Sequence, residues 1–262
     1  MIHLKKSINN VIINRLNVMK RKNRSAAILF KALTRNFFKI FAYYPKMVFM
    51  AIFHKKYSEE VKYAYGQKIV HCAVDTSGIK IEAFGLENIP EKDGLYICSN
   101  HQEKFDPLAI WYTFPRRIGV ILDDVATHRP FIREICFLIK TQKLIKNDVH
   151  SMVTAYSEIT KDLKAGVNYM LFPEGGYEEE DGILGEFHAG SFKSAQRAHC
   201  TILPVAVIDS FRIFDKGFKS TRPIQIHYLK PIQPEEYDNM TTTEIAELVK
   251  ARIQAHLDIY QK

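Results

Sequence analysis

The chain predicts an α/β fold: a single domain with a central mixed, largely parallel sheet flanked by helices, preceded by an N-terminal amphipathic helical segment. Three observations carry that expectation. Short runs such as 95–99 and 202–208 are apolar almost throughout, as strands buried on both faces of a sheet must be. Segments with helical periodicity alternate with those runs, the order that builds a parallel or mixed sheet. No internal repeat or low-complexity linker interrupts residues 57–262, and 262 residues suffice for one large core.

Taken in order, the elements begin with residues 25–53, where aromatic and aliphatic residues surround a narrow basic stripe. At about 100° per residue, Arg24, Lys31, Arg35 and Lys39 line one side of a helix, and Phe37 and Phe41 belong to its broad apolar face. Pro45 is expected to break the segment into two short helices. Residues 57–74 read as a linking helix, and 79–84 alternate as a half-exposed strand ending in the turn at 87–90. Further strands are expected at 118–122, 169–172 and 224–229, with helices at 107–114, 130–139, 149–164 and 191–198. The tail opens on a capping box, Thr241 and Glu244, ahead of a helix over 241–259.

Charge is distributed unevenly. The net +8 resolves into 13 Lys/Arg with no acidic residue in 1–56, against 24 basic and 29 acidic residues in 57–262. Lys31, Arg35, Lys39 and Lys46 interrupt every window long enough to span a bilayer, so the arm reads as a helix pair lying in an anionic membrane surface. Packing of that face on the protein's own core is the plainer alternative. The unbroken aliphatic blocks argue against nucleic acid as a partner. Residues 1–56 are accordingly set apart as a membrane-association segment and 57–262 as the main domain. Cys72, Cys98, Cys136 and Cys200 lack metal or redox spacing, the acidic run at 178–181 lacks the pattern of a calcium loop, and no metal or cofactor is expected. The N-terminal pattern is not that of a secretory signal.

Three motifs carry the chemistry. Asn100-His101-Gln102-Glu103-Lys104-Phe105-Asp106-Pro107 follows a buried strand and precedes a helix, placing His101 at a strand's carboxyl end, where α/β proteins bind ligands. Asp106 can cap the helix and fold back on the imidazole, fixing its tautomer and leaving the other nitrogen to accept a proton. Alone, this pattern reads better as a helix cap beside a loop histidine. Phe172-Pro173-Glu174-Gly175-Gly176 ends another apolar strand, and its two glycines permit close backbone approach to a ligand. Pro204 interrupts the third, the apolar strand at 202–208, which places that strand at an edge or the proline at its start.

Together these motifs resemble the glycerolipid acyltransferase family of the PlsC type, over residues 75–232. The family's His-x4-Asp element matches His101 and Asp106 with Asn100 before it; its Phe-Pro-Glu-Gly block matches Phe172, Pro173, Glu174 and Gly175; its proline-bearing strand matches at Pro204. The family usually continues Phe-Pro-Glu-Gly with Thr-Arg, the arginine helping to hold the acceptor's phosphate, whereas Gly176 and Tyr177 stand here. Lys104, Lys146, Lys193 and Arg197 are the replacement candidates, with Gly190-Ser191 ahead of Lys193 as a further anion cradle.

The resemblance implies acyl transfer from an acyl-CoA or acyl carrier protein thioester to a lysophospholipid hydroxyl, with 1-acyl-sn-glycerol 3-phosphate becoming phosphatidic acid. It makes His101 the general base, Asp106 its orienting partner, and Glu174, Gly175 and Gly176 part of the acceptor site. The expected location is the cytoplasmic face of the membrane, peripheral or monotopic. The alternatives are another acceptor, glycerol 3-phosphate or a phosphate-free lysolipid, or a non-catalytic membrane-binding module on the same scaffold.

Overall fold

The computed structural model describes residues 37–129, 131–145, 148–176, 183–213 and 222–260. Lys31, Arg35 and Lys146 therefore lie outside the described residues, as does the acidic run. Phe37 and Lys39 fall within the first described helix, α1 (Phe37–Ile52). After a 3₁₀ turn at His54–Lys56 comes α2 (Glu59–Ser77), started by Ser58, whose side chain accepts the Val61 N–H, and closed by left-handed Gly78.

Helix α1 runs on through Pro45 and does not break into two. The ring removes one N–H from the helix ladder. Pro45 and Phe41 are both exposed, so the gap in the ladder lies on the solvent side of the helix. Packing on either side of the proline holds the helix in line. Tyr44 stacks on Phe131 with ring centroids 5.7 Å apart, and Tyr65 donates to the Tyr43 carbonyl at 2.8 Å. Beyond Pro45, Met47 and Met50 are buried with Tyr65, Ile69 and Leu138. Burying two methionines stabilises this docking by about 1.5–3 kcal/mol each. One side of the helix thus packs on the protein's own body, the plainer alternative, while Phe41, Phe49 and Ile52 stay exposed.

The remaining elements are β1 (Ile81–Phe84), β2 (Tyr96–Ser99), α3 (Asp106–Thr113), β3 (Gly119–Asp123), α4 (Asp124–Thr127), α5 (Ile132–Leu138) and β4 (Thr141–Leu144). They continue with α6 (Val149–Lys164), β5 (Tyr169–Leu171), α7 (Lys193–Ala198), β6 (Ile202–Ile208), β7 (Ile224–Tyr228), α8 (Pro234–Tyr237) and α9 (Thr242–Tyr260). Seven strands form one sheet in the order β1-β7-β6-β2-β5-β3-β4. All neighbours pair parallel except β6 and β7. The mixed, mostly parallel sheet with flanking helices is the architecture expected.

Alternating residues of the central strands feed two cores. Tyr96, Cys98, Tyr169 and Leu171 pack with residues of α6, α7 and α9 on one face. Leu95, Ile97, Met170 and Val205 pack with Tyr63, Val70 and Trp111 of α2 and α3 on the other. Every residue of β2, β5 and β6 is buried, which explains their near-continuous apolar sequences.

Pro204 departs from expectation, lying third in β6, a central strand. Its carbonyl accepts from Leu229 N–H at 2.9 Å, so its absent donor also faces the β7 side. The β7 ladder begins only at Val205, paired with Tyr228, so the missing N–H falls where that ladder ends.

Toward the carboxyl end of β7, His227 is buried against the rings of Phe84, His256 and Tyr260, and its Nε2 bonds to Gln225 at 2.9 Å. Burial, then the neighbouring His256, pull the His227 pKa down to about 4. A depressed folded pKa contributes stability above the unfolded value, lost as pH falls through the folded one. Melting temperature should therefore drop between pH 6.5 and 4, and His227→Gln should flatten that limb; parallel curves would remove His227 as its cause.

Candidate functional site

Parallel pairing of β2 with β5 sets Cys98 opposite Leu171, so the residues that follow both strands emerge at the same end of the sheet. On its other side β2 is tied to β6 beyond the ladder. Asn100 Nδ2 donates to the Val207 carbonyl at 2.9 Å, and Asn100 Oδ1 accepts the Val207 N–H at 2.7 Å. The buried amide imitates a strand residue and fixes where the next one, His101, leaves the sheet.

The turn between His101 and α3 is organised by one carboxylate oxygen. Asp106 Oδ2 accepts N–H bonds from Gln102 at 2.6 Å and Glu103 at 2.8 Å, and lies 2.9 Å from His101 Nδ1. Five-residue spacing, wrong for a helix face, suits a turn that wraps around its own last side chain. The helix begins at Asp106 itself, one residue earlier than expected, with Phe105 in the capping position. The carboxylate serves the preceding turn instead of capping α3.

Asp106 is fully buried, whereas the His101 side chain keeps 14% of its surface open. Because Oδ2 is a carboxylate already receiving two N–H groups, its geometry favours a proton on Nδ1. Nε2 then carries the lone pair. The imidazole lies on the Phe172 ring with centroids 4.1 Å apart and planes 25° from parallel. Phe172, matched only as part of a motif, is thus a wall of the site.

Glu174 braces the same histidine from behind. Its Oε1 accepts the His101 backbone N–H at 2.7 Å, and its Oε2 accepts the Gly185 N–H at 2.8 Å. Burial raises its pKa above the usual carboxylate range, against the lowering effect of these two N–H bonds and of His101. A Cβ on Gly185 would stand 2.7 Å from Glu174 Oε2, so a side chain there would push that carboxylate out of place. Gly175 has φ +68°, and a Cβ on it would meet the His188 ring at 3.0 Å.

The structure brings Asn100, His101, Asp106, Phe172, Glu174 and Gly175 to one end of the sheet, with Pro173 joining Phe172 to Glu174. Pro204 pairs with Cys98 inside the sheet. Gly176 is exposed, as are Lys104, Lys193 and Arg197. Gly190 and Ser191 sit in the 3₁₀ turn Ala189–Phe192, where Ser191 is buried and its hydroxyl donates to the His188 carbonyl at 2.7 Å. The expected anion cradle has Gly190-Ser191 opening a helix with Lys193 in its first turn; the two residues form a 3₁₀ turn instead, and the helix starts at Lys193. Among the described residues, no three His, Cys, Asp or Glu side chains are grouped to hold a metal ion.

Sequence reasoning missed two supports. Gly185 lies eleven residues beyond its carboxylate in a stretch without periodicity. Gln102 Oε1 accepts from both N–H and hydroxyl of Ser210, at 3.2 and 3.3 Å, joining the His101 turn to the end of β6. Only the placement of Gln102 beside His101 could have pointed to the latter.

A family model described as Acyltransferase matches residues 80–208. A 1-acyl-sn-glycerol-3-phosphate acyltransferase from Borreliella burgdorferi is 28% identical over 174 residues, 64% of this chain and 69% of that protein. A protein of the same name from Limnanthes alba is 26% identical over 190 residues, 71% of this chain and 65% of that protein. The crystal structure of the 1-acyl-sn-glycerophosphate acyltransferase PlsC from Thermotoga maritima superposes with a TM-score of 0.67 at 20% identity, covering 90% of this chain and 97% of that one. That superposition speaks to the fold.

Proposed function

We propose that this chain, which matches the acyltransferase family model over residues 80–208, moves a fatty acyl group from an acyl-CoA or acyl carrier protein thioester to a lysophospholipid. The acceptor is 1-acyl-sn-glycerol 3-phosphate and the product phosphatidic acid, a reading supported by the names of the relatives. The observation that carries the chemistry is the His101 Nδ1 to Asp106 Oδ2 contact at 2.9 Å, with the imidazole partly open and the carboxylate sealed.

His101 Nε2 takes the proton of the acceptor hydroxyl as its oxygen attacks the thioester carbonyl. Asp106 stabilises the resulting imidazolium. The tetrahedral intermediate collapses, the C–S bond breaks, and the departing thiolate takes the proton back from Nε2. Ester and free thiol are the products, and no acyl-enzyme is needed. Glu174 acts as a positioning residue, since both its oxygens are committed to backbone N–H groups, while Gly175 and Gly176 leave room for the acceptor beside the histidine.

Residues 1–56 serve as the membrane-association segment. The exposed Phe41, Phe49 and Ile52 of α1 supply apolar contact and the basic residues supply attraction to anionic lipid. Among the described residues, no helix is long and apolar enough to cross a membrane.

One preparation tests these assignments. Purified chain, a labelled acyl thioester and anionic vesicles carrying a panel of lysolipids, read by product mass, should give phosphatidic acid as the main product. Flotation of the same mixture should carry the chain with the vesicles. A dominant product from glycerol 3-phosphate or a phosphate-free acceptor would reassign the substrate, and absence of flotation would remove the arm's role.

A further inference from the structure

A phosphorylated acceptor needs a cation near His101, and the position after Gly175-Gly176 holds Tyr177 instead of arginine. We infer that Arg212, held on Asp209 at the carboxyl end of β6, grips the acceptor's phosphate. This inference rests on the lysophospholipid reading above and names the residue that selects for its headgroup.

Strand β6 pairs in parallel with β2, Ser99 opposite Val205, so His101 and Asp209 leave the same end of the sheet. Adjacent strands lie about 4.8 Å apart. Glu174 and Gly175 flank the histidine on the β5 side, and β6 brings Asp209–Arg212 to its opposite flank. The two flanks are physically joined, because Gln102, next to the catalytic histidine, accepts both hydrogen bonds of Ser210.

The segment is built to present its arginine. Asp209 takes φ +63°, a left-handed conformation that side chains with a Cβ adopt at a cost, and it turns the chain out of the strand. Its carboxylate is nearly buried and accepts from Arg212 Nε at 2.7 Å, with Arg222 Nη1 at 3.9 Å. Two guanidinium groups thus approach the one carboxylate. The Arg212 pair is made through Nε, so the edge between the terminal nitrogens is a different edge, suited to a bidentate phosphate contact. The guanidinium also lies over the Phe211 ring, 5.2 Å from its centroid, and its side chain remains 44% exposed. It is thus oriented on two sides and open on the rest.

Direct binding tests this independently of turnover. Calorimetry with 1-hexanoyl-glycerol 3-phosphate and 1-hexanoylglycerol should show tighter binding of the phosphorylated lipid by the unaltered chain. Arg212→Ala should weaken only the phosphorylated lipid, by about 10- to 100-fold. Arg212→Lys should fall between, keeping charge without the fork. Lys104→Ala and Lys193→Ala should bind as the unaltered chain does. An equal effect on both lipids, no effect, or loss in a lysine variant in place of Arg212→Ala overturns the inference. If the unaltered chain shows no preference for phosphate the inference also falls. Acyl transfer to the phosphate-free lipid in the vesicle assay then reports separately whether the acyltransfer reading stands.

Discussion

His101→Ala lowers kcat by about 10²- to 10⁴-fold, the usual contribution of a general base, and leaves a folded protein. Geometry makes both halves of that expectation specific. Nδ1 is engaged by Asp106 at 2.9 Å, so the variant removes the nitrogen that faces away from the carboxylate, together with the ring that holds it. Asp106 keeps its bonds from the Gln102 and Glu103 N–H groups, and the His101 backbone N–H keeps Glu174. The turn is therefore supported without the imidazole, and the lost hydrogen bond should cost about 1 kcal/mol, a shift of about 2–4 °C in Tm. Stopped or slow turnover is read with the labelled thioester at saturating acceptor, and folding by thermal melting. Near-full turnover would remove His101 from the chemistry, and loss of the folded state would leave the turn, not the base, as its role.

What was readable in the sequence follows from how local each interaction is. Strands β2 and β6 announced themselves because both faces of each are buried. The capping box was readable because its bonds span three residues: Thr241 N–H and hydroxyl meet Glu244 Oε2 at 2.6 and 2.8 Å. Strand β4, with the polar sequence Thr-Gln-Lys-Leu, was not readable, since an edge position half exposes it and erases the apolar run. The two prolines misled for one reason. At Pro45 and at Pro204 the missing donor falls where nothing required it, one on an exposed helix face and one at the end of a ladder, and sequence does not show which side a lost N–H faces. His101 and Asp106 were legible as a pair because one short turn joins them. The bracing by Glu174 was not, because its partners lie 73 residues before it and 11 after it. The bond from Ser210 to Gln102 spans 108 residues and depends on β6 lying beside β2.

Asp106→Asn separates the charge of that carboxylate from its geometry. All three groups that approach Asp106, His101 Nδ1 and the N–H groups of Gln102 and Glu103, address the one oxygen Oδ2. Oδ1 is buried and accepts no hydrogen bond from the described residues. An asparagine can therefore place its single oxygen where Oδ2 stands and its NH2 where Oδ1 stands. The reversed orientation would point an NH2 at two backbone N–H donors, so the turn itself enforces the correct one. The imidazole then keeps its tautomer and position, and what disappears is the negative charge that stabilises the imidazolium as the hydroxyl is deprotonated. At about 4 Å and an effective dielectric near 20, that attraction amounts to about 4 kcal/mol, or roughly 10³-fold in rate. The expected result is a kcat lowered by about 10²- to 10³-fold, with KM for both substrates and Tm close to those of the unaltered chain. Asp106→Ala removes acceptor and charge together, leaving two buried N–H groups unpaired at about 1–3 kcal/mol each, so it should lose Tm as well as rate. Full turnover in the asparagine variant would show that the charge contributes nothing and that Asp106 only shapes the turn. An equal loss of Tm in both variants would show instead that the turn cannot accept the amide, and would return the assignment to geometry.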